Sequence, residues 1–177
     1  MTHVIVLNGG SSSGKTSIAR AIQELAPGTW LTFGVDTLID SLPGRGQDPR
    51  SGLVFEPDGT VTVMSEFRAL EESWYRGLAT MARGGAHLIL DEVFLGGAAS
   101  QERLRSWLEG LDVLWVGVRC DAEVATTREL HRPDRVGGMA ATQAIVVHAG
   151  VDYDVEVDTT HHSVRDCAQI ITERVIS

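Results

Sequence analysis

The feature that most narrows what this chain can be is a short run near its start, Gly9-Gly10-Ser11-Ser12-Ser13-Gly14-Lys15-Thr16. It follows the pattern of a glycine, four residues, then glycine, lysine and serine or threonine. Immediately before it, Val4-Ile5-Val6-Leu7 is short, continuous and β-branched, the pattern of a strand buried on both faces of a parallel sheet. From Lys15 to Ala26 the residues favour helix, with Ile18, Ala21, Ile22 and Leu25 on one face, until Pro27-Gly28 stops it. A strand, a glycine-rich turn and a helix in that order let successive backbone amides and the positive helix end converge on phosphate oxygens. Gly9, Gly10, Ser11, Ser12, Ser13 and Gly14 are therefore read as a cradle for ATP. Lys15 is expected to reach its β- and γ-phosphates, and the Thr16 hydroxyl to help hold Mg²⁺. The competing reading is a flexible glycine-serine turn, which leaves the placement between strand and helix without a reason.

The rest of the chain continues the alternation. Trp30 to Val35 reads as a second strand, His87 to Leu90 as a third, Val113 to Val118 as a fourth, and Tyr153 to Val157 as the last. Between them, Phe67, Leu70, Trp74, Leu78 and Met81 recur at helical spacing from Ser65 to the stop at Gly84-Gly85. Further helices are expected near Gln101 to Leu108 and Ser163 to Val175. Alternating strands and helices imply right-handed crossovers and a mainly parallel sheet covered by helices, a three-layer α/β/α sandwich. Ligands then sit at the carboxyl ends of the strands. Two segments break the pattern. Pro43 to Thr62 predicts a small hairpin, Leu53 to Glu56 paired with Val61 to Met64 around Pro57-Asp58-Gly59. The arginine-rich stretch from Arg128 to Gly138 reads as a mobile lid. The whole of residues 1–177 is expected to form one domain.

Composition excludes some partners. Twenty-four acidic against fifteen basic residues give a formal charge of -9, which opposes nucleic acid and anionic lipid. Apolar residues make up 43% of the chain, enough for a sizeable core, yet no apolar run approaches the roughly 20 residues that span a bilayer. The start Met1-Thr2-His3 lacks the basic region of a signal peptide, and Cys120 and Cys167 are too few for a disulfide framework. A cytoplasmic enzyme acting on a small molecule is the expectation, with a homo-oligomer left open.

Several side chains are candidates for the chemistry. In Phe33-Gly34-Val35-Asp36 the carboxylate ends the second strand, where it faces the phosphate loop or, alternatively, caps a helix over Thr37 to Ser41. A fixed carboxylate there suits the orientation and late deprotonation of an alcohol acceptor. Leu88-Ile89-Leu90-Asp91-Glu92 ends an apolar strand in two acids, and Asp91 is the preferred Mg²⁺ ligand beside Thr16. Arg128, Arg132 and Arg135 either close on the transferring phosphoryl group or remain solvated surface charges. Phe33, Phe55, Phe67, Trp74 and Phe94 are shared between core and an apolar acceptor pocket. The six histidines are read as non-catalytic.

With these residues in place, the sequence resembles the chloramphenicol 3-O-phosphotransferase family over nearly its whole length. The resemblance is carried by Leu7-Asn8-Gly9-Gly10-Ser11-Ser12, Glu66-Phe67-Arg68-Ala69-Leu70-Glu71 and Val93-Phe94-Leu95-Gly96-Gly97-Ala98, together with Trp115 to Asp121 and Val155 to His161. It implies a nucleotide-kinase-like fold and ATP-dependent phosphorylation of the primary hydroxyl of chloramphenicol, inactivating the antibiotic. In that pattern Asp36 is the base, Lys15 the phosphate-loop lysine, and Arg132 and Arg135 the arginines near the phosphates; of the aromatic candidates, Phe33, Phe55 and Phe94 are the ones expected to touch the acceptor. Asp158-Thr159-Thr160 resembles an adenine-side loop. The chain departs from the pattern at Glu92, at Pro133 and across Gly44 to Phe55. The alternatives are a kinase for another antibiotic or hydroxylated metabolite, and a nucleotide-dependent switch or ATPase.

Overall fold

A computed structural model describes residues 2–56, 60–131 and 139–176. Five parallel strands form the central sheet: β1 (Val4–Asn8), β2 (Trp30–Gly34), β5 (His87–Glu92), β6 (Val113–Arg119) and β7 (Val155–Asp158), in the order β2-β5-β1-β6-β7. Val4, Ile5, Val6 and Leu7 are fully buried, as a continuous β-branched run at the middle of a two-sided sheet requires.

Side chains alternate across each strand and so divide the core into two layers. On one face Ile5, Leu7, Ile89, Val116 and Val118 meet Ile18, Ala19 and Ile22 of α1 (Lys15–Leu25) and Cys167, Ala168 and Ile171 of α7 (Val164–Ile176). On the other, Val4, Val6, Leu88, Leu90 and Trp115 meet Tyr75, Leu78, Ala79 and Ala82 of α3 (Ser65–Arg83) and Leu104 of α4 (Ala98–Trp107). These are the three layers expected from the alternation.

The expected face of α3 is corrected in phase. Phe67 and Leu78 are buried, but Leu70 and Met81 are 41% and 38% exposed, and Tyr75, Ala79 and Ala82 take the sheet-facing positions. The reason is that α3 serves two surfaces: small alanines let its second half approach the sheet, while Phe67 and Trp74 meet a separate cluster with Leu38 and Leu53. That cluster is capped by the expected hairpin, β3 (Leu53–Phe55) antiparallel to β4 (Val61–Val63) with Leu53 opposite Val63. Its turn, residues 57–59, lies outside the described residues.

Two helices come from sequence that carries no clear helical stripe, α5 (Ala122–Leu130) and α6 (Met139–Val146). Asp121 caps α5 by accepting from the Glu123 and Val124 amides. Arg128 thus belongs to the last turn of a helix, which corrects the irregular structure expected at that residue; residues 132–138 of the expected lid lie outside the described residues. Arg132 and Arg135 lie outside the described residues. Among the described residues no helix is long and apolar enough to cross a membrane.

Candidate functional site

Three neighbouring strands, β2, β5 and β1, deliver the site. Their registers align Gly34 with Asp91 and Asp91 with Leu7, at the spacing of about 4.8 Å between paired strands. The phosphate-loop run leaves β1 just beyond Leu7, Asp36 stands just beyond Gly34 in the first turn of α2 (Val35–Ser41), and Asp91 occupies the strand between them. Gly34 permits the approach, because a Cβ there would collide with the Asp91 backbone. The result is one open cleft lined by Ser11, Ser12, Gly14, Lys15, Thr16, Val35, Asp36, Asp91 and Val93.

The loop itself is wound tightly enough to force unusual backbone. Gly14 has φ of 94°, and Ser12 has φ of 60°, a left-handed conformation that costs a non-glycine residue about 1 kcal/mol or more. Lys15, 7% exposed, donates to the Gly10 carbonyl at 3.0 Å and lies 3.6 Å from Asp91 Oδ1. The Thr16 hydroxyl donates to Asp91 Oδ2 at 2.6 Å. The side-chain hydroxyls of Ser11, Ser12 and Ser13 are buried without a hydrogen-bond partner among the described residues. Buried donors of that kind cost free energy unless something accepts from them.

These observations fit a nucleotide phosphate tail and its divalent cation. A strained amide-rich loop opening a helix with no acidic residue in its first turn suits phosphate oxygens, and the hydroxyls supply further donors. Thr16 and Asp91 are hard oxygen ligands. Among the described residues there is no cluster of three or more His, Cys, Asp or Glu side chains able to hold a metal alone. Mg²⁺ is ordinarily held by one or two protein oxygens together with substrate phosphates, and Thr16 and Asp91 are of that number and kind.

The acid pair at the end of β5 splits across the sheet. Asp91 faces Thr16, whereas Glu92, 4% exposed, points to the α3 side with Oε1 lacking a partner among the described residues. Burial pushes the Glu92 carboxyl well above the ordinary carboxylate range; the Tyr75 hydroxyl opposes the shift, and the Asp91 and Glu71 carboxylates reinforce it. The two acids therefore have different environments although they are adjacent in sequence.

The aromatic candidates divide likewise. Phe33 is half-buried and meets Trp74 edge-on, with ring centroids 6.0 Å apart. Phe55 is half-buried in the hairpin cluster. Phe94 is 3% exposed and packs against Trp115 under the sheet. It is a core residue, which corrects its expected place in an acceptor pocket: the Phe94 amide donates to Asn8 Oδ1 at 2.9 Å, and this fixes the ring inward.

Residues around the loop hold it in place, among them Gln143, Tyr153 and His148, to which the sequence assigned no role at the site. Gln143 of α6, 4% exposed, accepts from the Ser11 amide at 2.8 Å. Thr159 donates to the Ser13 carbonyl at 2.8 Å and is itself gripped by Arg128, through Oγ1 at 3.1 Å and the carbonyl at 2.9 Å. Asn8 donates to the Val147 carbonyl at 2.8 Å and to the Tyr153 hydroxyl at 2.6 Å. That hydroxyl can in turn donate to His148 Nδ1, 2.6 Å away. Burial pulls the His148 imidazole down to about 4, with Arg119 adding to the effect, so it is neutral near pH 7. A sequence signal for Gln143 existed: it is a lone amide in the apolar run Met139 to Val147, and a buried amide needs a partner.

Comparison with known proteins agrees with this geometry. The family model described as chloramphenicol phosphotransferase-like protein matches residues 2–176. A Mycobacterium tuberculosis protein named "Putative O-phosphotransferase" is 34% identical over 182 residues, covering 96% of this chain and 80% of that protein. Among solved structures, the tunicamycin resistance protein of Deinococcus radiodurans superposes with a TM-score of 0.66 at 22% identity, covering 99% of this chain and 96% of that one. Shikimate kinase from Acinetobacter baumannii, in complex with shikimate, gives a TM-score of 0.63 at 20% identity, covering 99% and 94%. At such identities the two structures speak for the fold alone, a P-loop kinase fold. The match along nearly the entire sequence speaks for more: the chain belongs to the chloramphenicol phosphotransferase-like family and is a phosphotransferase of the P-loop type.

Proposed function

We propose that the protein transfers the terminal phosphoryl group of ATP to an alcohol of a small molecule, and that this alcohol is the primary 3-hydroxyl of chloramphenicol, so that the reaction inactivates the antibiotic and confers resistance. The observation that carries the reading is the joint lining of one cleft by Asp36 on one wall and Ser11, Ser12, Lys15 and Thr16 on the other. A carboxylate sharing a cleft with a phosphate cradle can orient and deprotonate a bound alcohol.

In this reading the amides of Ser12 to Thr16 and the Lys15 ammonium hold the phosphates and meet the charge that spreads onto the transferring oxygens, while the Gly9 and Ser11 amides, donated to the Glu92 carbonyl and to Gln143, shape the loop. Thr16 and Asp91 would hold Mg²⁺, which supplies charge neutralisation at the phosphates when bound. Asp36 orients the acceptor hydroxyl and receives its proton as the acceptor oxygen bonds to phosphorus and the β–γ bridging oxygen leaves with its electron pair on ADP. Phe33 and Phe55, with Val35 and Val93, give the acceptor an apolar surface suited to an aromatic ring. Arg132 and Arg135 are assigned to the transferring phosphoryl group on the family resemblance alone. A second reading keeps every catalytic part and changes the acceptor to another hydroxylated antibiotic or metabolite; it is favoured by the departure of residues 44–55 from the family pattern, since that segment builds the hairpin beside Phe55.

A panel of alcohols assayed for ADP release in the presence of Mg²⁺ tests the proposal. Strong stimulation by chloramphenicol is expected. Stimulation by a different alcohol, with none by chloramphenicol, would transfer the assignment to the second reading, and rapid ADP release that no alcohol increases would remove both.

A further inference from the structure

The helix α6 is fastened to the start of the phosphate loop at successive points. The Val147 carbonyl just past its end accepts from Asn8, its Gln143 accepts from the Ser11 amide, and its backbone at Gln143 and Ala144 lies so close to Gly10 that a Cβ there would meet it at 3.2 Å. On the far side the Ala140 amide donates to Glu129 Oε1 of α5 at 3.1 Å, so α5 and α6 are joined by a buried bond. Arg128 of α5 grips Thr159, which reaches the Ser13 carbonyl. The two helices therefore hold the loop from both ends, at Ser11 and at Ser13.

We propose that Gln143 is a positioning residue for nucleotide binding: by accepting from the Ser11 amide it sets the backbone path of the phosphate loop before any phosphate arrives. The inference rests on the proposed role of the loop as a nucleotide cradle. Its physical basis is the Ser11 N–H, a buried donor whose acceptor is a side chain on a separate helix, not the loop itself. Without that acceptor the amide must turn elsewhere or stay unpaired, and the loop beside it, already left-handed at Ser12, loses the restraint that holds its neighbouring amides in a convergent arrangement. Ordering the loop then becomes part of the cost of binding.

Titration calorimetry of MgADP binding to the wild type and to Gln143→Met, an unbranched side chain of similar length with no strong acceptor, tests this directly. About tenfold weaker binding is expected, toward the lower end of what an unpaired buried donor costs. In turnover, KM for ATP should rise with kcat at saturating ATP and KM for the acceptor little changed. Gln143→Glu keeps an acceptor oxygen and should retain slow exchange of the Ser11 amide, whereas Gln143→Met should expose it. Failure of the wild type to bind MgADP would defeat the phosphate-loop reading itself. Wild-type binding with Gln143→Met within twofold of it would defeat only the positioning role. Should Gln143→Met not fold, a scalar coupling across the hydrogen bond between the Ser11 nitrogen and the Gln143 side-chain carbonyl carbon in the wild type decides: its presence is expected, and its absence overturns the proposal.

Discussion

The two walls of the cleft are built in opposite ways. The wall formed by residues 8–15 is almost wholly buried and is tied to α6, to Thr159 and to Tyr153 by hydrogen bonds from side chains far away in sequence. The facing wall has an exposed Asp36 and a half-buried Val35 on α2, whose Leu38 joins Leu53 and Phe67 in the small cluster under the hairpin. Few buried apolar contacts mean a low local free energy of opening, so the second wall can adjust while the first stays fixed. A scaffold divided this way keeps phosphoryl transfer constant and leaves acceptor choice to a region that packs separately from the main core.

That division predicts a graded series of effects. The largest is at Asp36: Asp36→Asn should lower turnover by about 10²- to 10⁴-fold, the range for a lost general base, with MgADP affinity unchanged in calorimetry. Unaltered turnover would mean that the exposed wall contributes no base. Next, Lys15→Ala should reduce turnover by about 10²- to 10³-fold through lost stabilisation of phosphoryl charge, and should weaken nucleotide binding as well; steady-state kinetics paired with binding data would show both. If it affected only acceptor KM, the assignment of the walls would be reversed. Phe55→Ala is a smaller change, expected to raise acceptor KM by about tenfold while leaving KM for ATP in place.

The smallest effect concerns the fixed wall and appears in stability. His148 has its folded pKa drawn down to about 4 from an ordinary value near 6.5, so the unfolded chain binds the extra proton first as pH falls. The contribution of the neutral imidazole is fully present above about 6.5 and is lost progressively between about 6.5 and 4. Thermal unfolding should therefore show a midpoint that drops across this window in the wild type and drops less in His148→Gln. Equal slopes for the two would place the acid sensitivity elsewhere.

The two walls also differ in how far they could be read from residue order. The strand, loop and helix from Val4 to Ala26 are legible because buried β-branched runs, glycine spacing and helical periodicity are local properties. The hairpin from Leu53 to Val63 was legible too, since its turn chemistry and alternation are local. What holds the loop was not. Asn8 to Val147, Ser11 to Gln143 and Ser13 to Thr159 are pairings across most of the chain, and no periodicity announces them. The helix α6 is formed by residues that favour helix but show no polar and apolar stripe, so its place against Gly10 is set by packing that its sequence does not announce. Phe94 is another instance: an aromatic residue just past a strand looks available to a ligand until the bond from its amide to Asn8 turns the ring into the core. Arg128 reads as a lid residue from its neighbours alone, whereas the Asp121 cap seven residues earlier starts the helix that carries it.

The central claim is that this cleft passes a phosphoryl group from ATP to an alcohol opposite the loop. Mass spectrometry of chloramphenicol incubated with the protein, ATP and Mg²⁺ tests it most directly. The account predicts a product heavier by one phosphoryl group, esterified at the 3-hydroxyl, formed in step with ADP. ADP accumulating at the same rate with chloramphenicol unmodified would contradict it.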